Sequence, residues 1–279
     1  MALRIFTDSS SDIDVNRQKE LDITILPLRV FFGDTCYVEG ENLTKEEFYT
    51  MLAQADELPK TAQFTPMEFE ELFRPLVEAG DEILVLPISK ELSGTHQAAL
   101  LAKEAFPDAP IYVVDTQNVT FGLGLLVYEA LNLRDRGLHA ADIYDAITAL
   151  VPRVRLYAVI DDLKYLKMGG RLSSAGAMVG TLLGIKPIVS IEGGKVVSVA
   201  KARGQKAGFQ TIRELVEADG IDFDYRVAYG HSNARPLMDE LMKVMQGCAD
   251  TDHLLFGDIG PVVGTHAGPG CAGIAFIKK

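Results

Sequence analysis

Short apolar runs alternate with stretches of helical periodicity through the first half of the chain. Between the runs, apolar residues recur every three or four positions, which is typical of amphipathic helices. Strands that alternate with helices predict a parallel sheet covered by helices. Apolar strand-length runs cover 3–6, 25–32, 83–87, 111–114 and 156–160, and predicted helices cover 44–54, 66–79, 93–106, 122–136 and 140–151.

Local signals mark where three of these helices begin. Thr44 with Glu47 three residues later forms a capping box. Pro66 after Thr65 suits the first turn of the next helix. Ser93 stands where a cap for the helix 93–106 is expected.

The pattern changes near residue 157, where strands begin to follow one another without long helices between them. Gly193-Gly194 between two apolar runs predicts a two-residue hairpin. Helices over 204–218 and 234–245, a strand over 226–229 and three closing strands complete a mixed α/β unit. The chain is therefore expected to form two α/β domains, 1–156 and 157–279, with a ligand crevice between them.

Composition narrows the classes of partner. The net charge is −12 over 279 residues, which disfavours binding to nucleic acid or to an anionic membrane surface. No apolar stretch is long enough to span a membrane, and the N-terminus lacks the pattern of a signal peptide, so a cytoplasmic protein is expected. Cys36, Cys248 and Cys271 have no metal-ligand or disulfide spacing, so no metal site is predicted and the cysteines are expected to be reduced thiols.

Two hydroxyl-rich turns carry the candidate chemistry. Thr61 and Ser93 each precede a predicted helix, where free backbone N–H groups stabilise an anion. Gly94 lets a ligand approach the backbone closely. Helix capping and the binding of a carboxylate or phosphate are about equally compatible with these turns.

Other polar positions have competing interpretations. Arg171 follows two glycines and suits an anion, although surface exposure is the commoner fate of arginine. His266 lies among glycines, which favours an exposed position in a site. The runs 8–12 and 231–233 are better explained by helix capping than by ligand contact. No G-x-S-x-G motif supports a hydrolase.

Six spaced motifs occur in order along nearly the whole chain. Together they make the chain resemble the DegV family, the bacterial fatty-acid-binding proteins that serve as lipid-carrying subunits of fatty-acid kinase. The motifs are Thr7-Asp8-Ser9, Thr61-x-Gln63, Leu92-Ser93-Gly94-Thr95, Gly122-x-Gly124, Tyr165-Leu166-x-x-Gly169-Gly170-Arg171 and Gly264-Thr265-His266-x-Gly268-Pro269-Gly270.

The resemblance implies an N-terminal three-layer α/β/α domain with a mostly parallel sheet and a C-terminal two-layer α/β domain with a mixed sheet. It also implies one long-chain fatty acid between the domains and no other cofactor. A separate fatty-acid kinase would supply ATP and form the acyl phosphate used in phospholipid synthesis. The residues implied to hold the carboxyl group are Thr61, Ser93, His266 and Arg171, with Gln63, Gly94, Thr95 and Thr265 as additional candidates.

The chain departs from the family pattern at Ala62, Phe64, His96 and Cys271. Of these, Ala62 lacks a hydroxyl beside the proposed carboxyl contacts, and Phe64 is placed to shape the tunnel. Apolar helices over 121–133 and 175–183 are candidates to line the tunnel, with most of their side chains in the core. Two other functions stay open: an enzyme that uses His266 as acid or base on a small phosphorylated or carboxylated metabolite, and a lipid-sensing regulatory module.

Overall fold

The computed structural model describes residues 2–173 and 184–279, so the helix predicted over 175–183 lies outside the described residues. The described chain forms two α/β units. The strands are β1 Leu3–Asp8, β2 Thr24–Leu26, β3 Arg29–Phe32, β4 Thr35–Val38, β5 Lys60–Ala62, β6 Glu82–Leu86, β7 Ile111–Val113, β8 Val154–Val159, β9 Ile185–Glu192, β10 Lys195–Arg203, β11 Val227–Ser232, β12 Leu254–Asp258 and β13 Cys271–Ile277. The helices are α1 Gln18–Leu21, α2 Lys45–Gln54, α3 Pro66–Glu78, α4 Thr95–Lys103, α5 Thr120–Asp135, α6 Ala140–Leu150, α7 Lys164–Met168, α8 Gln205–Asp219, α9 Arg235–Met245 and α10 Pro261–Ala267.

The first unit is built on a parallel sheet with the strand order β2-β1-β6-β7. Because successive side chains of a strand point to opposite faces, Ile5 and Leu84 pack against α5 and α6. Phe6 and Val85 pack on the other face against α3 and α4. This arrangement confirms the predicted α/β/α layers. The capping box predicted at Thr44 is present, and Pro66 lies in the first turn of α3 as expected. A second capping box, which was not predicted, forms between Thr65 and Glu68.

The apolar run 25–32 is divided between two sheets. β2 pairs with β1 in the parallel sheet, whereas β3 lies in a separate antiparallel sheet with the order β4-β3-β5. Pro27 separates the two strands, and proline cannot donate a ladder hydrogen bond. The small sheet was not predicted, and its strand β5 carries Thr61, one of the residues expected to hold an anion.

The second unit is a six-stranded mixed sheet with the order β10-β9-β8-β13-β11-β12, in which β11 and β12 pair in parallel and the other neighbouring strands pair antiparallel. The predicted hairpin joins β9 to β10, with positive φ at Gly193 and Gly194 as a type I′ turn requires. The expectation of three closing strands was wrong: β12 and β13 are strands, but the short helix α10 lies between them. The expected boundary between residues 156 and 157 lies inside β8, which pairs wholly within this sheet.

The two faces of the six-stranded sheet have different partners. One face is covered by α8 and α9, with Phe209 and Met238 among the buried contacts. The opposite face turns toward the first unit, where Leu156 and Ala158 lie in one cluster with Leu92 and Val119. The crevice expected between the units therefore has an apolar lining.

Helix α5 lies between the two units and is buried around most of its circumference. Its Phe121 ring rests against the backbone of Gly230 in β11 and of Gly257 in β12. A Cβ at Gly230 would overlap Cδ1 and Cε1 of that ring and lie 3.0 Å from Cγ. A glycine is therefore required at residue 230 for the two units to pack closely.

Replacing Gly230 by alanine will lower the free energy of unfolding by about 1–3 kcal/mol, because overpacking a filled core forces side chains off their preferred rotamers. Urea denaturation measures this change. The same substitution in a Phe121→Leu background serves as the control and should cost less, since the ring is then absent. Equal costs in the two backgrounds would contradict the proposed contact.

Candidate functional site

A cavity of about 420 Å³ lies between the two units. Alternate residues of β8 and β9 form one wall, including Leu156, Ala158 and Val189. The opposite wall comes from the loop before α4 and from the start of α5, with Leu92, Val119 and Phe121. Most of the lining is apolar, and the remaining apolar side chains are Leu28, Ala62, Ile88, Ile160, Leu166, Ile191, Val196, Ile259, Val262, Val263, Ala267 and Cys271.

Four of the residues expected to hold an anion meet in this lining, and we call them the polar end: Thr61, Ser93, Arg171 and His266. They come from four separate segments. Thr61 is held by the pairing of β5 with β3, and Ser93 follows the turn that opens at Ser89. Arg171 follows α7, and His266 lies in α10. Residues more than 200 positions apart in the sequence thus share one surface.

His266 and Thr61 form a direct pair, with 3.0 Å between Nε2 of the imidazole and Oγ1 of the threonine. Burial, together with the nearby positive charge of Arg171, lowers the pKa of His266 to about 4. The imidazole is therefore neutral at neutral pH. The expectation of an exposed histidine in a glycine-rich loop was wrong, because the residues form helix α10 and Nδ1 is shielded from solvent.

Arg171 is oriented by backbone carbonyl groups. Its Nε donates to the Leu92 carbonyl over 3.2 Å, and its Nη1 donates to the Gly169 carbonyl over 2.7 Å. Neither contact neutralises the guanidinium charge. The arginine therefore stays available to an anion in the cavity.

Ser93 does not cap α4 as predicted. Gly94 occupies the N-cap position, and no side chain makes the capping hydrogen bond. Oγ of Ser93 lies 3.0 Å from Oγ1 of Thr95 and accepts from the Thr95 amide over 3.4 Å. The preceding turn is tied to the second unit, because the Ser89 hydroxyl donates to the Gly194 carbonyl over 2.8 Å.

The additional candidates divide into two groups. Gln63 and Gly94 line the cavity, and the Gln63 side chain lies directly against the Cα of Gly94. Thr95 and Thr265 are buried outside the lining. The Thr265 hydroxyl donates to the Pro261 carbonyl over 2.8 Å within its own helix.

Sequence reasoning missed several residues of the lining. Alternation along β8 and β9 was a usable signal for the wall residues, since one face of each strand had to meet the crevice. Thr120 and Thr65 also line the cavity. Thr120 has a positive φ of 51°. No local sequence feature predicts that backbone conformation, so its place in the lining could not be predicted.

Capping was expected of both remaining polar runs. It is found in the run 8–12, where Asp8 caps a short 3₁₀ helix, but not in the run 231–233, because no side chain caps α9. Oδ1 of Asp8 accepts from the Ser10 amide over 3.0 Å, and Oδ2 accepts from the Ile88 amide over 2.8 Å. His231 and Ser232 belong to β11, and the Ala234 amide lies 3.4 Å from Nδ1 of His231. Neither run lines the cavity.

The arrangement suits an amphiphile with an anionic head. Hydroxyl and guanidinium donors meet at the polar end, and most of the remaining lining is apolar, with Gln63, Thr65 and Thr120 as its other polar side chains. Within residues 2–173 and 184–279, no group of three or more histidine, cysteine or acidic side chains is placed to hold a metal ion. In the same ranges, no helix is both long and apolar enough to cross a membrane.

Comparison with known proteins identifies the family. The family profile described as "Uncharacterised protein, DegV family" matches residues 2–279. The chain belongs to the DegV family. Among curated DegV relatives, a DegV domain-containing protein of Caldanaerobacter subterraneus is 33% identical over 99% of both chains.

Solved DegV structures share the whole fold. A fatty-acid-binding DegV family protein from Streptococcus agalactiae is 30% identical, with a TM-score of 0.91 over 100% of this chain and 99% of its own. A DegV family protein from Thermus thermophilus, described by its fatty-acid binding, is 29% identical, with a TM-score of 0.90 over 100% of both chains. A stearic-acid-binding protein from Eubacterium ventriosum is 26% identical, with a TM-score of 0.85 over 100% of this chain and 99% of its own.

Proposed function

We propose that this DegV protein binds one long-chain fatty acid in the cavity between its two units. The observation that carries the proposal is the division of the lining: donors converge at the polar end, and apolar side chains form most of the rest. The fatty-acid binding described for the relatives from Streptococcus agalactiae, Thermus thermophilus and Eubacterium ventriosum supports it.

The energetics favour a long acyl chain. Transferring about 15 methylenes from water at roughly 0.8 kcal/mol each is favourable by on the order of 12 kcal/mol, before the costs of ordering and association. The net contribution of the carboxylate to affinity is small because its hydrogen bonds in the site replace those it made to water. Its donors fix which end of the ligand lies beside Thr61 and Arg171, and without them the cost of leaving water is not offset.

The carrier role follows from the chemistry that the chain lacks and from the family resemblance. The sequence has no phosphate-binding loop of the G-x-x-x-x-G-K-[ST] kind. We therefore assign ATP binding to a separate fatty-acid kinase, to which this protein presents the carboxyl group for conversion to acyl phosphate. Because that step consumes ATP, and because all three cysteines are free thiols, we place the protein in the cytoplasm.

An enzyme that uses His266 as a general acid or base receives less support. A general acid or base works best when its pKa lies near the operating pH. Burial and Arg171 hold the pKa of His266 at about 4, so the imidazole is a weak base and carries no proton to donate as an imidazolium at neutral pH. Its role in the proposal is to hold the Thr61 hydroxyl.

Native mass spectrometry of the purified protein tests the binding. We expect a mass excess equal to one long-chain fatty acid, which denaturing extraction releases intact. Recovery of no lipid, together with no uptake of added palmitate or oleate, would overturn the proposal. Consumption of ATP by the isolated chain would overturn the carrier role alone.

A further inference from the structure

Two adjacent glycines, Gly169 and Gly170, follow α7. A different structural constraint favours glycine at each position. Gly170 has a φ of +70°, and the amide of Arg171 bonds the Leu166 carbonyl over 2.9 Å. This is the left-handed helix end that glycine favours. Gly169 has a φ of −74°, which any residue adopts. Backbone conformation therefore does not explain Gly169.

What requires a glycine at residue 169 is the imidazole of His266. A Cβ at this position would overlap Nδ1 of the ring and lie 3.1 Å from Cε1. In glycine a hydrogen atom takes the place of Cβ. The Cα–H bond of Gly169 therefore points at Nδ1.

The two nitrogen atoms of the ring have different surroundings. Nδ1 is shielded from solvent and has no hydrogen-bond partner within the described ranges. Nε2 lies 3.0 Å from Oγ1 of Thr61. Because burial lowers the pKa of His266 to about 4, the neutral ring carries one proton, on either Nδ1 or Nε2.

The position of Gly169 distinguishes the two tautomers. An unprotonated Nδ1 accepts a weak C–H hydrogen bond from Gly169, whereas a protonated Nδ1 would direct its hydrogen at the hydrogen of Cα. With Nδ1 unprotonated, Nε2–H donates to Thr61. The Thr61 hydroxyl then keeps its own proton for a ligand, whereas the other tautomer would use that proton in the bond to Nε2.

We propose that Gly169 is a positioning residue that holds His266 as the Nε2–H tautomer and thereby makes the Thr61 hydroxyl a donor toward the anionic head of the ligand. The ligand part of this inference rests on the proposed function, but the tautomer is a property of the free protein. Arg171 and Thr61 then both present donors to a carboxylate, and donors to a charged acceptor form the stronger class of hydrogen bond.

The tautomer is measured directly by long-range ¹H–¹⁵N correlation spectroscopy of protein labelled at the histidine ring nitrogens and freed of lipid. The His266 pattern is assigned by its loss in His266→Gln. We expect the Nε2–H pattern at neutral pH. An Nδ1–H pattern would overturn the inference and leave the proposed fatty-acid binding intact.

Gly169→Ala tests the positioning role, with Gly170→Ala as the matched control. Apart from Gly170 and its two chain neighbours, no heavy atom of residues 2–173 and 184–279 lies within 4 Å of the place that a Cβ of Gly170 would take, so its substitution strains the helix end without touching His266. We expect Gly169→Ala to shift the His266 ring signals and to weaken palmitate binding by about tenfold or more, since a hydrogen bond to the charged head is misplaced. Gly170→Ala should leave both unchanged, and equal effects of the two substitutions would overturn the inference.

A double-mutant cycle separates positioning from general damage to the fold. Glutamine keeps an N–H donor near the position of Nε2 but has no ring atom beside Gly169. In the His266→Gln background, Gly169→Ala should therefore weaken binding much less than it does in the wild-type protein. Additive effects would overturn the inference, whereas wild-type protein that shows the Nε2–H pattern but takes up no fatty acid would overturn only the proposed function.

Discussion

Replacing Thr61 by valine and Ser93 by alanine together will weaken palmitate binding by about 100-fold or more. In the proposed function each hydroxyl donates to the carboxylate, and a hydrogen bond to a charged group contributes about 1.5–3 kcal/mol. Valine keeps the shape of threonine, and alanine shortens serine by one atom. The apolar wall that binds the acyl chain therefore stays intact. Isothermal titration of delipidated protein with palmitate measures the change.

Two comparisons make this prediction specific to the carboxylate. Thr265→Val removes a hydroxyl next to His266 that bonds the Pro261 carbonyl outside the cavity, and it should leave palmitate affinity within about threefold of the wild type. The methyl ester of palmitate has no anion, so the double variant should bind it about as well as the wild type does. Equal weakening for acid and ester would show that the hydroxyls act on the cavity as a whole and not on the head.

Asp12→Asn will stabilise the protein at pH 8 by as much as about 4 kcal/mol and will not stabilise it at pH 4. Burial raises the pKa of Asp12 from 3.8 to about 7, against the opposing effects of Lys45 and the Gly260 amide. Between these pH values the folded protein holds a proton that the unfolded chain has released. Stability therefore falls as pH rises through this window, by about 1.4 kcal/mol per pKa unit.

Asparagine is the informative replacement because it keeps the other features of the position. Asp12 has a positive φ of 53°, which asparagine tolerates. Its Oδ1 accepts from the Gly260 amide over 2.8 Å, and the asparagine carbonyl accepts the same bond. Asp12→Ala also removes the buried carboxylate, but it loses that bond and strains the backbone, so we expect it to destabilise the protein at pH 4 and to leave it less stable than Asp12→Asn does at both pH values.

Urea denaturation at pH 4, 6 and 8 measures the difference between variant and wild type. The comparison with the wild type is needed because His266 changes the free energy of unfolding with pH in the opposite direction to Asp12. Its pKa is lowered from 6.5 to about 4, so its contribution to stability rises with pH over that window and partly masks the slope from Asp12. A difference that does not change with pH would show that Asp12 is ionised in the folded protein throughout this range.

Local sequence signals were reliable where neighbouring residues decide the structure. The capping box at Thr44 closes within three residues, and the hairpin at Gly193-Gly194 needs only two left-handed residues. Each is fixed by backbone hydrogen bonds and sterics that act over one turn. These elements and the parallel first sheet could be predicted.

The segment 261–270 shows why other elements could not. Its glycines and prolines indicated a loop with an exposed histidine, yet residues Pro261–Ala267 form a helix. A Cβ at Gly264 would lie 2.7 Å from both Cε1 of Phe48 and the hydroxyl oxygen of Tyr49. Tertiary packing against α2 therefore overrides the low helix propensity of glycine, and no local signal reports that contact.

The sequence by itself determined that the chain is an α/β protein of two units, that it carries the DegV motifs, and that Thr61 and Ser93 stand where an anion is stabilised. Only the tertiary structure decided which of those residues share a surface. It brought Thr61 and His266 to 3.0 Å from each other, buried Thr95 and Thr265 outside the lining, and placed Gly169 against the imidazole. The physical reason is that caps and turns are local, whereas a binding cavity is made by the packing of distant segments, whose contacts no short stretch of sequence encodes.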